Sequence, residues 1–378
     1  MQVENTKRIR ERIGRLVNDR NLNAAVARYL TPSLNGAGAP KDMEELQKAG
    51  AAYREMMEKT GLKLTDSQAA VLTMINGLTK DHRKELYRNP ADELYVLSGI
   101  AANSRTFKAD EFASDPYLRD VKLNNANAGE YRFGQIAFMP GQLFFYNTPK
   151  RVMPRTVELP RVAYFEEKAL FPAVLKDRRA ARSVTPNEII TVAPHIKAAR
   201  GNVLALGGGM GYFAYMASLK PEVQSVTVIE KDPALVELLE EHILPQLQTA
   251  DKIRVLEDDP CEFISDLEDD IYDRCFLNYG DIGTYLSVVK ECRRFKNMKT
   301  TYWIEDAFCI SLITFVYLEI LGTFNRAAGM KEPDLSGAPE AEKERMAMVS
   351  ELLKDAKIVR PEQIDYYMDP SNLVYLLR

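Results

Sequence analysis

The chain has 378 residues, 46% of them hydrophobic, which is enough for two or three domains with buried cores. Its 50 basic and 54 acidic residues leave a net charge of −4, without the basic excess of a nucleic-acid-binding domain. Four cysteines (Cys261, Cys275, Cys292, Cys309) contain no C-x-x-C pair and the three histidines no ligand pair, so reduced, buried thiols are expected rather than disulfides or a metal centre.

The first third reads as helical. Ile9, Ile13, Leu16 and Val17 recur at helical spacing. The neighbouring Arg8, Arg12 and Arg15 are diluted by Glu4, Glu11 and Asp19, which suits a solvated face better than a nucleic-acid arm. After a loop at 35–41, helices are expected at about 42–59, 66–78 and 90–102, the last with Asn89 as N-cap and Pro90 at the first helical position. From about 130 the period changes. Tyr131–Met139 and Gln142–Tyr146 flank Pro140-Gly141 and read as a β-hairpin, with a further strand over Val157–Tyr164. The segments 1–125 and 126–184 are thus expected to be a helical domain and a small β element, the latter a lid or a homodimer contact.

Thr185-Pro-Asn-Glu188 has the form of a capping box opening a helix to about 199. Apolar runs at 202–206, 225–230, 252–257, 272–278 and 299–304 then alternate with helical segments, the pattern of a parallel sheet. Helices are expected at 307–324 and about 340–355. The tail, Gln363–Met368 and Asn372–Leu377 around Asp369-Pro-Ser, reads as a closing antiparallel hairpin. The sequence opens without a signal-peptide core, and Glu319 interrupts its longest apolar run, so a cytoplasmic protein outside the membrane is expected.

The run Gly201-Asn-Val-Leu-Ala-Leu-Gly-Gly-Gly-Met-Gly211, followed by Val226-Thr-Val-Ile-Glu230, is a strand, a glycine turn, a helix and a second strand ending in a carboxylate. Its glycines follow the pattern G-x-G-x-G (Gly207, Gly209, Gly211), and Tyr212 occupies the sixth position, where a dinucleotide fingerprint has glycine. Over about 185–378 the sequence resembles the class I S-adenosylmethionine (SAM)-dependent methyltransferases and their spermidine-synthase-like relatives. The resemblance implies an α/β fold with a doubly wound, seven-stranded, mostly parallel sheet, formed by the five parallel strands and the terminal hairpin. It implies that Gly207, Gly209 and Gly211 line the methionine and ribose of SAM, that Glu230 holds the ribose hydroxyls, and that Asp259 or Asp258 meets the adenine amino group. Asn278, Tyr279 and Asp281, after the fourth strand, become the candidates for substrate contact and catalysis, with Asp281 able to accept a proton.

Three residues depart from the family pattern. Ala205 stands where many methyltransferases carry an acid. Met210 replaces the aspartate of the spermidine synthase Gly-Gly-Gly-Asp-Gly, and Asn278 replaces the first carboxylate of its Asp-x-x-Asp. An amide cannot act as a base. A methyltransferase acting on a small molecule is therefore the leading expectation. A nucleoside-binding protein without catalysis and an aminopropyl transferase are the alternatives.

Overall fold

Val203–Leu206 is apolar without alternation and is buried at all four positions, as a strand covered on both faces requires. It forms the centre of a five-stranded parallel sheet in the computed structural model, which describes residues 1–123, 126–152, 155–279, 282–303, 305–334 and 336–377. The chain divides into two compact units. One comprises Met1–Ala24, Arg151–Glu158 and Ile304–Arg378, and the other Ala25–Lys150 and Leu159–Trp303.

The larger unit includes, after shorter helical segments at Val26–Leu30 and Thr31–Asn35, helices α1 (Met43–Glu58), α2 (Asp66–Thr79) and α3 (Pro90–Ala102), close to the expected bounds. Asn89 caps α3 by accepting from the Asp92 N–H. The chain then forms β1 (Arg105–Phe107), the short helix α4 (Pro116–Asp120) and strands β2 (Asn127–Ala128), β3 (Tyr131–Phe138), β4 (Phe144–Arg151), β5 (Glu158–Phe165), β6 (Ala169–Lys176) and β7 (Arg179–Ser183). These strands build two sheets, ordered β1-β5-β4 and β2-β3-β6-β7.

The expected hairpin around Pro140-Gly141 is corrected here: its two strands exist but lie in different sheets. β3 pairs antiparallel with β6, from Tyr131 opposite Lys176 to Phe138 opposite Ala169. Gly141, at φ +71°, donates to the Phe165 carbonyl at 2.8 Å and so carries the chain from one sheet to the other. The cause is aromatic. Phe107, Phe138, Phe144, Phe165 and Phe171 come from strands of both sheets and form one cluster, with Phe138 and Phe144 at 4.4 Å between ring centroids. Pairing β3 with β4 would forfeit that burial. The hairpin that does form joins β6 to β7 through Asp177 and Arg178, both at positive φ (49° and 64°), the turn that matches strand twist.

Helix α5 (Pro186–Ala198) leads into β8 (Gly201–Leu206), α6 (Tyr212–Ser218), β9 (Val223–Glu230), α7 (Pro233–Glu237), β10 (Ile253–Glu257), α8 (Pro260–Asp266), β11 (Arg274–Leu277), α9 (Ile282–Cys292) and β12 (Lys299–Tyr302). The sheet order is β10-β9-β8-β11-β12, all parallel. The chain runs outward from β8 on one side and then returns to its other side. The crevice beyond the carboxyl ends of β8 and β11 is therefore the topological switch point, where open α/β sheets bind ligands.

The smaller unit contains helices Lys7–Ala25, Glu305–Ala327, Glu340–Leu352, Pro361–Tyr367 and Pro370–Leu377, and a two-residue parallel pair, Gln2–Val3 with Lys357–Ile358. The expected terminal hairpin is helical, so the seven-stranded sheet is not formed and the parallel sheet keeps five strands. Each tail segment begins with a proline at its first helical position, where a missing N–H costs nothing. Gln363 accepts from the Val359 and Arg360 N–H groups, and Asp369 from the Ser371 N–H. Ile364, Met368, Leu373 and Leu377 are the buried positions, a helical rather than an alternating spacing. Residues 307–327 are long and apolar enough to cross a membrane, at mean hydropathy 1.9, and half of the segment is buried within the protein. Glu319, its acid, accepts from the Ser350 hydroxyl at 2.7 Å.

Candidate functional site

A cavity of about 230 Å³ lies at the switch point. Gly207, Gly209 and Met210 line it from the turn after β8, Glu230 from the end of β9, Asn278 and Tyr279 from the end of β11, and Trp303 after β12. β7 and the first turn of α5 close another side with Arg182, Ser183 and Glu188. Of the nine residues singled out in the sequence, Gly207, Gly209, Glu230, Asn278 and Tyr279 thus share one cavity.

The glycine turn is shaped by approach as well as by torsion. Gly207 and Gly209 sit at φ +102° and +54°. A Cβ on Gly207 would stand 3.1 Å from the Asn278 carbonyl oxygen and 3.2 Å from the Tyr279 ring, and one on Gly209 would stand 3.1 Å from Asn278 Nδ2. The two strand ends are held together by the Asn278 N–H, which donates to the Leu206 carbonyl at 2.7 Å. Gly207→Ala therefore forces an L residue into a glycine conformation and presses on Tyr279. A loss of about 2 kcal/mol is expected in urea unfolding, together with weaker ligand binding at the displaced ring.

Glu230 is 2% exposed. One carboxylate oxygen accepts from the Gly208 N–H at 2.9 Å and the other from the Asp232 N–H at 3.1 Å. The carboxylate thus ties the second strand to the glycine turn, and each oxygen keeps a lone pair for a ligand. Asn278 Oδ1 and the Tyr279 hydroxyl are buried with no hydrogen-bond partner among the described residues. Burial and the nearby Glu230 raise the Tyr279 hydroxyl's pKa, so it stays a donor, and Lys231 Nζ lies 5.4 Å from the centre of its ring. Two orphaned polar atoms on one cavity wall carry a desolvation cost that a polar ligand would relieve.

Three of the expected residues that the structure describes are not in the cavity wall. Gly211, at φ +76°, begins α6, and its Cβ position faces Leu239 and Ile243 rather than the cavity. The Asp259 side chain caps α8 by accepting from the Cys261 N–H at 2.8 Å, and Asp258 accepts from the Asp259 N–H at 2.8 Å. The Asp258 N–H donates to the Glu230 carbonyl at 3.2 Å, so its backbone adjoins the site. Asp281 lies outside the described residues. Of the three departures from the family pattern, Asn278 and Met210 line the cavity and Ala205 lies in the surrounding structure. Ala205 is buried in the apolar cluster around the sheet, where a carboxylate would lack partners. The side chain of Met210 is buried beside the cavity, and its carbonyl accepts from the hydroxyl of Tyr117 on α4. Tyr212 and Phe213 belong to the core, packed on Tyr117 and Phe276.

Arg182, Glu188 and Trp303 are cavity residues that sequence reasoning did not assign. Glu188 carries the expected motif position, but Thr185 makes no side-chain cap bond and the capping box does not form. Glu188 faces the cavity instead. Its carboxylate accepts no hydrogen bond among the described residues, and burial pushes its carboxyl up to about 8 against the opposing pull of Arg182. Trp303 is fixed by its indole N–H, which donates to Thr191 Oγ1 at 2.8 Å. The chain's single tryptophan at a strand's carboxyl end was the available signal.

No family model matches the sequence, and no curated protein matches it. Solved structures that match in part include methyltransferases and spermidine synthases. The spermidine synthase of Thermotoga maritima aligns at 12% identity over 36% of this chain and 54% of its own, with a TM-score of 0.27. A precorrin-6y C5,15-methyltransferase from Geobacter metallireducens aligns at 20% identity over 30% of this chain and 59% of its own, with a TM-score of 0.25. A dimethyladenosine transferase from Plasmodium falciparum aligns at 18% identity over 34% and 45%, with a TM-score of 0.25. The chain thus spans about half the length of each, and each likeness takes in about a third of this chain.

Proposed function

We propose that this chain binds SAM at the switch-point cavity and transfers its methyl group to a small-molecule acceptor. The observation that carries the reading is the meeting of Gly207, Gly209, Glu230, Asn278 and Tyr279 around one cavity, two of them with buried polar atoms that have no partner among the described residues. These residues suit the cofactor. The two glycines let a ligand approach the backbone. Glu230 offers free lone pairs to a ribose diol. Asn278 Oδ1 accepts a donor, and the Tyr279 hydroxyl donates or accepts.

SAM supplies a methyl group on a sulfonium, so the protein needs only to orient the acceptor and exclude water. The aminopropyl alternative draws on Glu188 and Glu230, the acidic groups in the cavity. Arg182 weighs against it, since its guanidinium suits a carboxylate that the decarboxylated donor lacks.

The test is release of S-adenosylhomocysteine when the protein meets SAM and a panel of small amines and hydroxyl compounds. Acceptor-dependent release supports transfer. Tight SAM binding with no release from any acceptor favours a binding protein without catalysis.

A further inference from the structure

The carboxyl edge of the parallel sheet ends in one row. Ile229, Leu206, Leu277 and Tyr302 stand opposite one another on β9, β8, β11 and β12. The residues that follow extend the ladder: the Gly207, Asn278 and Trp303 N–H groups donate to the Ile229, Leu206 and Leu277 carbonyls at 2.8, 2.7 and 3.0 Å. Glu230, Gly207, Asn278 and Trp303 therefore succeed one another across the sheet, and all four line the cavity. Neighbouring strands lie about 4.8 Å apart, so Trp303 stands about 10 Å beyond the glycine turn, on the side away from Glu230.

Trp303 is fixed at that end. Its indole N–H donates to Thr191 Oγ1 at 2.8 Å, and the Thr191 hydroxyl donates in turn to the Asn187 carbonyl at 2.6 Å. The ring packs against the apolar cluster around the sheet and stays half-buried. Its one polar atom is thus engaged within the protein, and what remains for the cavity is aromatic carbon. Next to it in the row, Asn278 Oδ1 is buried without a donor among the described residues.

We infer that Trp303 is the acceptor-reading residue: the β12 end of the cavity takes a planar aromatic acceptor, its ring against the indole and its hydroxyl or amine hydrogen on Asn278 Oδ1. The inference rests on the SAM reading above, which lays the nucleoside toward Glu230 and leaves the Trp303 end to the second substrate.

One strand interval, about 4.8 Å, separates the wall that receives the ring from the amide that receives its substituent. In transfer, a lone pair on the acceptor's oxygen or nitrogen bonds to the methyl carbon as the carbon–sulfur bond breaks onto sulfur, and the acceptor's proton passes to water. Asn278 orients that hydrogen and takes no proton. The choice of ring is a matter of electrostatics rather than area. A saturated six-membered ring buries at least as much apolar surface as an aromatic one, so a merely hydrophobic wall would favour it. Contact between two aromatic rings adds a preference beyond burial, about 2- to 12-fold in affinity.

The probes are benzylamine with cyclohexylmethylamine, and benzyl alcohol with cyclohexylmethanol, pairs that differ in the ring alone. Each is titrated calorimetrically into the full chain saturated with S-adenosylhomocysteine, while the emission of the chain's single tryptophan is followed. The inference expects a benzyl compound to bind about 2- to 12-fold more tightly than its cyclohexyl partner and to change that emission. Trp303→Leu should remove the preference and Trp303→Phe keep it, with SAM bound by both as tightly as by the native chain. Equal binding within the pairs, tighter binding of the cyclohexyl compounds, benzyl binding that leaves the emission unchanged, or no binding of either benzyl compound overturns the inference and leaves the SAM site standing. So does a loss of SAM affinity in Trp303→Leu as large as its loss of acceptor affinity. Failure of the native chain to bind SAM overturns the functional reading and this inference with it. The paired comparison on the native chain decides the matter should Trp303→Leu fail to fold.

Discussion

Glu230→Ala is expected to cost about 3 kcal/mol of stability and to abolish measurable nucleoside binding. The side chain is 2% exposed, and its oxygens accept from the Gly208 and Asp232 N–H groups. Hydrogen bonds to an ionised acceptor contribute about 1.5–3 kcal/mol each, and truncation leaves the buried Gly208 N–H without its acceptor. Part of the second bond is regained from solvent, because the Asp232 end is only partly buried. Glu230→Gln keeps the shape but turns an amide NH₂ toward one of the two donors. It should fall between the native chain and Glu230→Ala in urea unfolding at unchanged m-value. An Ala variant as stable as the native chain would mean that the carboxylate does not hold the glycine turn.

The second large effect is expected in the smaller unit. Asp19 is 5% exposed. It accepts from Arg155 Nε at 2.7 Å, from the Thr156 N–H at 2.8 Å and from the Thr156 hydroxyl at 3.0 Å. Four residues further along the same helix, Asn23 Oδ1 accepts from the Glu158 N–H at 2.8 Å and its Nδ2 donates to Glu158 Oε2 at 3.0 Å. Asp19→Ala takes the carboxylate from the Arg155 guanidinium and leaves the Thr156 donors facing a cavity. Removing one partner of a buried pair costs about 3–5 kcal/mol. Asp19→Asn keeps an acceptor oxygen and should cost less. The check is the urea midpoint of the two variants. Equal midpoints would assign the loss to charge alone, and native-like midpoints would contradict the clamp.

The βαβ core was legible because its signals are local. Val203–Leu206 carries the full apolar run of a buried central strand, three glycines supply the turn, and Glu230 ends the neighbouring strand. Gly207, Gly209 and Glu230 from this unit, with Asn278 and Tyr279 that the family resemblance added after the fourth strand, all line the cavity. The β region was harder, since strand pairing there is decided by an aromatic cluster to which strands of two sheets contribute five phenylalanines. Pro140-Gly141 looks locally the same whether it closes a hairpin or carries the chain across. The tail failed for a related reason. Asp369-Pro370 is a turn signal and a helix start at once, and only the burial of Ile364, Met368, Leu373 and Leu377 distinguishes them. Glu188 sat in a motif that explained it locally, which hid its place in the cavity.

The most direct measurement is calorimetric titration of the native chain with SAM, decarboxylated SAM and NAD⁺, repeated on Glu230→Ala. Binding of SAM in preference to both others, lost in the variant, is the predicted result. Preference for decarboxylated SAM or NAD⁺, or no binding by any of the three, would contradict the assignment of the switch-point cavity to SAM.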